Sequence, residues 1–166
     1  MTYCHFYYFK IIIIKIIGGD FLQMKNINIF VYGSLREGFF NYDKYLAGKV
    51  VEKKDASLEN MRLYHMPYKG YPAITPGNDK VLGEIMVINE EEYDETVKAM
   101  DEMEGFISEN NPENEYHKIV LEVKNLQTNE KEKCFVYFYN KDKDKVFDSE
   151  SVYIPNGDWK EYMLTK

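Results

Sequence analysis

The chain has 166 residues and carries 28 Asp and Glu against 21 Lys and Arg, a net charge of −7. That length suits one domain with a real core, and the acidic balance argues against nucleic acid or an anionic membrane as the main partner. Two cysteines, Cys4 and Cys134, are too few and too far apart for a disulfide framework or a zinc site, so a reducing, cytoplasmic setting is expected.

Residues 1–23 are unlike the rest. Ile11 to Ile17 is apolar but broken by Lys15 and preceded by Lys10, too short and too charged to span a bilayer. A basic n-region and a small-residue cleavage site are missing, so it makes a poor secretory signal. We read it as an extension, not native to the domain, that arises from a misplaced start codon upstream of Met24. The alternative is an extra strand, since Phe6 to Ile17 has high β propensity. The domain proper is placed at 24–166.

Ile27 to Tyr32 is a run of strand formers that stops at Gly33-Ser34, the pattern of a buried strand delivering a tight loop. Gly33 can take a positive φ there and admit a ligand to the main chain. Successive N–H groups of Gly33, Ser34 and Leu35 can form an anion-binding concavity. Arg36 to Phe40 reads as loop, Asn41 as the cap of a short helix reaching Leu46, and Gly48 as its stop. Residues 49–66 read as two strands, or one bent strand, broken around Lys53 to Ser57.

Pro67, Gly70, Pro72, Pro76 and Gly77 predict a loop from Pro67 to Lys80. Val81 to Ile88 is a strand with Gly83 marking a bulge or a close backbone approach. Asn89 with Glu92 opens a helix from Glu90 to about Met103, with Gly105 as its C′ residue. Glu104 therefore falls at the helix C-terminus. The helix dipole and the neighbouring Asp101 and Glu102 raise its pKa toward the range of a general base. Residues 106–114 read as a mobile polar rim. Tyr116 to Lys124 and Lys133 to Tyr139 read as a hairpin, with Phe135, Tyr137 and Tyr139 on one face and Cys134, Val136 and Phe138 on the other. The tail, with Trp159 and Tyr162, is expected to pack back on the sheet. Five or more strands and one main helix make an α+β domain, and 15 Tyr and 10 Phe suit a closed sheet.

Other chemistries fare worse. Ser34 as a nucleophile needs a His and an acid, and neither His65 nor His117 is tied to it by spacing; Gly-x-Ser-x-Gly is absent. The three histidines lack metal-ligand spacing and no phosphate-cradling motif occurs, so no metal and no cofactor is expected. Cys134 reads as a small buried hydrophobe.

Val31-Tyr-Gly-Ser-Leu-Arg36, Tyr71-Pro-Ala-Ile74, Leu82-Gly-Glu-Ile85, Met100-Asp-Glu-Met-Glu-Gly105, Tyr116-His-Lys-Ile-Val120, Phe135-Val-Tyr-Phe-Tyr139 and Gly157-Asp-Trp159 occur in this order. Together they resemble the gamma-glutamylcyclotransferase-like family, which includes gamma-glutamylamine cyclotransferases and plant avirulence-induced-type proteins. The resemblance covers residues 27 to about 162. It implies a small mixed or antiparallel β-barrel. It also implies release of 5-oxoproline from a small γ-glutamyl amino acid or amine, Glu104 being the general acid/base. Tyr32, Gly33, Ser34, Leu35, Arg36, Tyr71 and Tyr139 are the implied substrate contacts. Asp101 is the rival for the proton role. A non-catalytic module holding a small carboxylate, and a γ-glutamyl acyltransferase, are the competing readings. Nothing in the sequence sets an oligomeric state.

Overall fold

The computed structural model describes residues 26–166; the extension at 1–23, read above as not native, lies outside the described residues. Among the described residues six strands form one sheet. They are β1 (Asn28–Val31), β2 (Val50–Met66), β3 (Tyr71–Ile88), β4 (Tyr116–Asn125), β5 (Lys131–Tyr139) and β6 (Val152–Tyr153). The order is β3-β1-β5-β4-β2-β6, and β2 also pairs with β3. That second pairing closes the first five strands into a barrel, with β6 attached outside the ring. β1 runs parallel to β5, and every other pairing is antiparallel. The barrel is therefore mixed, and the α+β expectation holds.

Both faces of the central strands are covered. One core fills the barrel with Phe30, Leu58, Leu63, Ile74, Val81, Ile85, Val123, Cys134 and Val136. The other lies outside the ring, where Ile29, Val31, Met86, Tyr137 and Tyr139 meet Tyr93, Val97 and Met100 of helix α2. Successive residues of β1 and β5 alternate between the two cores, as a period of two demands. Cys134 is buried, and burial drives its thiol up to about 12. The helices are α1 (Phe40–Tyr45), α2 (Tyr93–Met103), α3 (Phe147–Glu150) and α4 (Trp159–Leu164). None of the described helices is long and apolar enough to cross a membrane.

Several local expectations change. β2 is a single strand without a break at Lys53 to Ser57, its irregularities lying at Val50/Glu52 and Glu59/Met61. The predicted loop from Pro67 to Lys80 shrinks to a turn at 67–70, and Tyr71–Ile88 is continuous strand. Prolines are tolerated there because the outer half of β3 has β2 as its ladder partner while β1 pairs only at Glu84–Met86. Asn41 does not cap α1; Phe39 holds that position, and the Asn41 amide turns to Ser34. Asn89 caps the short 3₁₀ turn Glu90–Glu92 that precedes α2. The 106–114 segment is pinned rather than loose. Buried Asn114 accepts from Ile107 N at 2.7 Å and donates to Ser108 O at 2.8 Å, while Asn140 Nδ2 donates to Pro112 O and Asn114 O. The tail does pack back: Trp159 is buried, and its Nε1 donates to His65 Nδ1 at 3.1 Å.

Gly83 marks a close approach, as read. A Cβ there would lie 2.3 Å from Val31 O and 2.7 Å from the Phe30 ring. Gly83→Ala should therefore push β1 from β3 and cost ~3 kcal/mol, measured as a shift in urea midpoint at unchanged m-value.

Candidate active site

A cavity of about 260 Å³ opens where β1, the start of β3 and the end of α2 converge. Its wall includes Tyr32, Gly33, Ser34, Leu35, Tyr71 and Glu104. Six of the eight residues expected at the site are thus brought together.

The loop after β1 is closed by Arg36 N donating to Gly33 O at 2.9 Å. Ser34 is fixed twice, its O accepting from Tyr42 N at 3.2 Å and its Oγ from Asn41 Nδ2 at 2.8 Å. The N–H groups of Ser34 and Leu35 donate to nothing among the described residues. Gly33 has no positive φ, contrary to the expectation. A glycine is needed for another reason: a Cβ would lie 2.4 Å from Pro72 Cγ, so the loop and the head of β3 meet there without room for a side chain.

Glu104 caps the C-terminus of α2, and Gly105 turns the chain with φ 63°. Glu115 N donates to Gly105 O at 3.0 Å and Tyr116 N to Glu104 O at 3.2 Å. The helix end is thereby stitched to the head of β4, which delivers a second carboxylate. The Glu104 carboxyl is half-buried and has no hydrogen-bond partner among the described residues. Burial first, then Glu115, then Asp101 raise its pKa to about 8. The expected direction holds, but Glu102 is exposed and is not among the causes, and Glu115 supplies the largest repulsion.

Four tyrosines around the cavity have committed their hydroxyl protons. Tyr32 donates to Tyr137 O at 2.8 Å, Tyr116 to Pro72 O at 2.6 Å, Tyr71 to Glu115 Oε1 at 2.8 Å and Tyr137 to Asp101 Oδ1 at 2.5 Å. Burial drives the pKa of all four upward. Each oxygen is left with lone pairs only, able to accept and not to donate. The cavity is therefore polarised, with acceptors at the tyrosines and Glu104 and unspent donors at Ser34 and Leu35.

Asp101 takes Lys118 Nζ at 2.6 Å as well as Tyr137, so it is occupied as a brace between α2, β4 and β5. Arg36 and Tyr139 are not on the wall. Buried Arg36 bonds Glu84 through Nε at 3.3 Å and Asp158 through Nη1 at 2.7 Å. The Tyr139 hydroxyl donates to Asp144 Oδ2 at 2.7 Å. Among the described residues Ser34 has no histidine as hydrogen-bond partner: His65 Nδ1 accepts from Trp159, and His117 Nδ1 lies 3.3 Å from the Asn114 amide. Among the described residues no group of three His, Cys, Asp or Glu could hold a metal.

Glu115, Tyr116 and Tyr137 were not picked out as site residues from sequence. Tyr116 and Tyr137 stood in the quoted motifs, but only the ladder fixes their place. Glu115 sits at the end of a polar run where no pattern sets it apart.

Fold and site define a closed mixed barrel with a small cavity lined by tyrosines and by the carboxyls of Glu104 and Glu115. Residues 29–161 match the family described as "Gamma-glutamyl cyclotransferase, AIG2-like". The chain belongs to this family. It is 29% identical over 137 residues to a gamma-L-glutamyl-butirosin B gamma-glutamyl cyclotransferase of Niallia circulans, covering 82% of this chain and 78% of that protein. It is 28% identical over 139 residues to a putative gamma-glutamylcyclotransferase of Methanocaldococcus jannaschii, covering 81% and 96%. A crystal structure from Pyrococcus horikoshii shares the fold with a TM-score of 0.54 at 24% identity, covering 84% of this chain and 95% of that one.

Proposed function

We propose that the chain is a γ-glutamyl cyclotransferase with Glu104 as its general acid/base. The observation that carries this reading is the unpartnered Glu104 carboxyl, raised to about 8, in a cavity that also offers two free backbone donors.

The substrate is a γ-glutamyl amide with a free α-ammonium group. Glu104 as carboxylate takes one proton from that ammonium. The freed nitrogen attacks the substrate's own γ-carbonyl carbon, forming the fifth bond of a five-membered ring. The carbonyl oxygen becomes an oxyanion, which the Ser34 and Leu35 N–H groups stabilise. Glu104 returns its proton to the amide nitrogen, the carbon–nitrogen bond breaks, and the amine leaves; Glu104 then takes the surplus second proton from the ring nitrogen and passes it to that amine, which departs as an ammonium. The products are 5-oxoproline and a free amine, and no enzyme nucleophile is consumed. The tyrosine oxygens accept from the α-ammonium and keep it turned toward Glu104. Holding both ends of one chain in an attack-ready shape contributes ~7–11 kcal/mol in favourable systems.

The test is a panel of γ-glutamyl amino acids and γ-glutamyl amines incubated with the purified chain, read by mass spectrometry. The expected result is free 5-oxoproline with an equal amount of released amine. Release of glutamate instead would mean hydrolysis and overturn the ring closure. Thermal stabilisation by small carboxylates without turnover would favour a binding module.

A further inference from the structure

Among the described residues two carboxyls line the cavity, those of Glu104 and Glu115, and no Lys, Arg or His lines it with them. The proposed reaction moves its protons through Glu104 and leaves Glu115, at the head of β4, without a task. A γ-glutamyl substrate brings an α-ammonium group, and the wall must hold that charge where Glu104 can reach it.

The Glu115 carboxylate is held by one oxygen. Its Oε1 accepts from Lys69 Nζ at 2.7 Å and from the Tyr71 hydroxyl at 2.8 Å. Its Oε2 accepts no hydrogen bond among the described residues. Oε2 lies beside Gly105, where a Cβ would come within 3.6 Å of it, and Gly105 follows Glu104 directly in the chain. The bonds from Glu115 N to Gly105 O and from Tyr116 N to Glu104 O hold these two corners together. Lys69 does not remove the negative charge from the cavity. It lines a neighbouring cleft instead, and it also acts on the charge of Asp144 there, so one lysine serves two carboxylates. A carboxylate already ordered by two donors, with its second oxygen open, takes a cation at little cost in ordering. An ammonium group has three N–H donors: Glu104 removes one proton, and Glu115 accepts from another. The substrate's α-carboxylate is repelled from the same spot, so the nitrogen and not the carboxylate is presented to Glu104.

We infer that Glu115 binds the substrate's α-ammonium group through Oε2 and thereby selects acyl chains that carry this charge. The inference rests on the cyclotransferase reading above.

The experiment uses γ-glutamyl alanine and γ-glutamyl butylamine as substrates of the full chain. Glutaryl alanine and glutaryl butylamine, which lack the α-amine and cannot cyclise, are the matched competitors. KM and Ki are read from 5-oxoproline release, each enzyme at its own pH optimum. In the wild type, Ki for the glutaryl compound should exceed KM for its γ-glutamyl match about tenfold, the effect of one hydrogen bond to a charged group. Glu115→Gln should raise KM about tenfold and leave Ki within about threefold, bringing the ratio to about one. If that variant does not fold, Lys69→Gln decides. Lys69 is partly exposed, and without it Glu115 should widen the ratio about threefold, the worth of one such ion pair. A wild-type ratio near one, or a ratio that the folded variant leaves unchanged, makes Glu115 a structural tie only and overturns the inference while leaving the cyclotransferase reading intact. No 5-oxoproline from either substrate overturns both.

Discussion

Glu104→Gln should lower kcat ~10²–10⁴-fold, the range for loss of a general acid/base. Gln keeps the size and loses the proton acceptor, so KM for the γ-glutamyl group should move little. The pH profile carries the sign. The free enzyme must hold Glu104 as carboxylate, so wild-type kcat/KM should rise with pH through about 8. It falls again when the substrate's ammonium is lost. In Glu104→Gln the acid limb should vanish.

The same variant should be more stable than wild type in alkali. A carboxyl raised from its ordinary value of 4.5 to about 8 on folding opposes folding as it ionises. Between those values the folded chain binds more protons than the unfolded one, so wild-type stability falls as pH rises through that window. Gln mimics the protonated acid and escapes the loss. Allowing for the carboxyl's remaining contact with water, the gain above pH 8 is ~2–4 kcal/mol. A gain in stability with a loss of rate is the mark of a strained functional group, and chemical denaturation at pH 6 and pH 9 reads it.

Arg36→Met should destabilise the fold by ~3–5 kcal/mol. The guanidinium is buried and joins the loop after β1 to Glu84 on β3 and to Asp158. Asp158 also caps α4, its Oδ1 accepting from Lys160 N and Glu161 N. Glu84 is almost fully buried and accepts from Glu37 N. Removing Arg36 leaves Glu84 with one ion pair among the described residues, to Lys160 Nζ at 3.9 Å. Arg36→Met/Glu84→Gln should recover part of the loss, because the buried charge goes with its partner. Below the melting transition, KM should stay within about threefold of wild type, the size of a remote packing effect. A tenfold rise in KM without loss of stability would instead place Arg36 on the substrate carboxylate.

Arg36 also shows where reading a sequence stops. Its partners lie 48 and 122 residues away, so nothing local told a substrate arginine from a buried tie. The same holds for Glu115, which reaches Glu104 only because β4 begins against the end of α2. Features set by local rules were readable: the strand ending at Gly33-Ser34, α2 with Gly105 behind it, the β4–β5 hairpin and the two faces of β5. The Pro67 to Lys80 stretch misled because proline argues against strand in general, while an outer hairpin arm paired mainly on one side admits it. Asn41 misled for a similar reason. A cap competes with any other acceptor the folded chain offers, and Ser34 Oγ won.

The central claim is that Glu104 is a carboxylic acid held near neutrality inside the cavity, ready to carry one proton. A carbon-13 NMR titration of the side-chain carboxyls tests it directly, with the Glu104 signal identified by its absence in Glu104→Gln. The account predicts a midpoint at about 8 in the free protein. A midpoint near the ordinary glutamate value of about 4.3 would contradict it, and Glu104 would then be one more solvated carboxylate at the end of a helix.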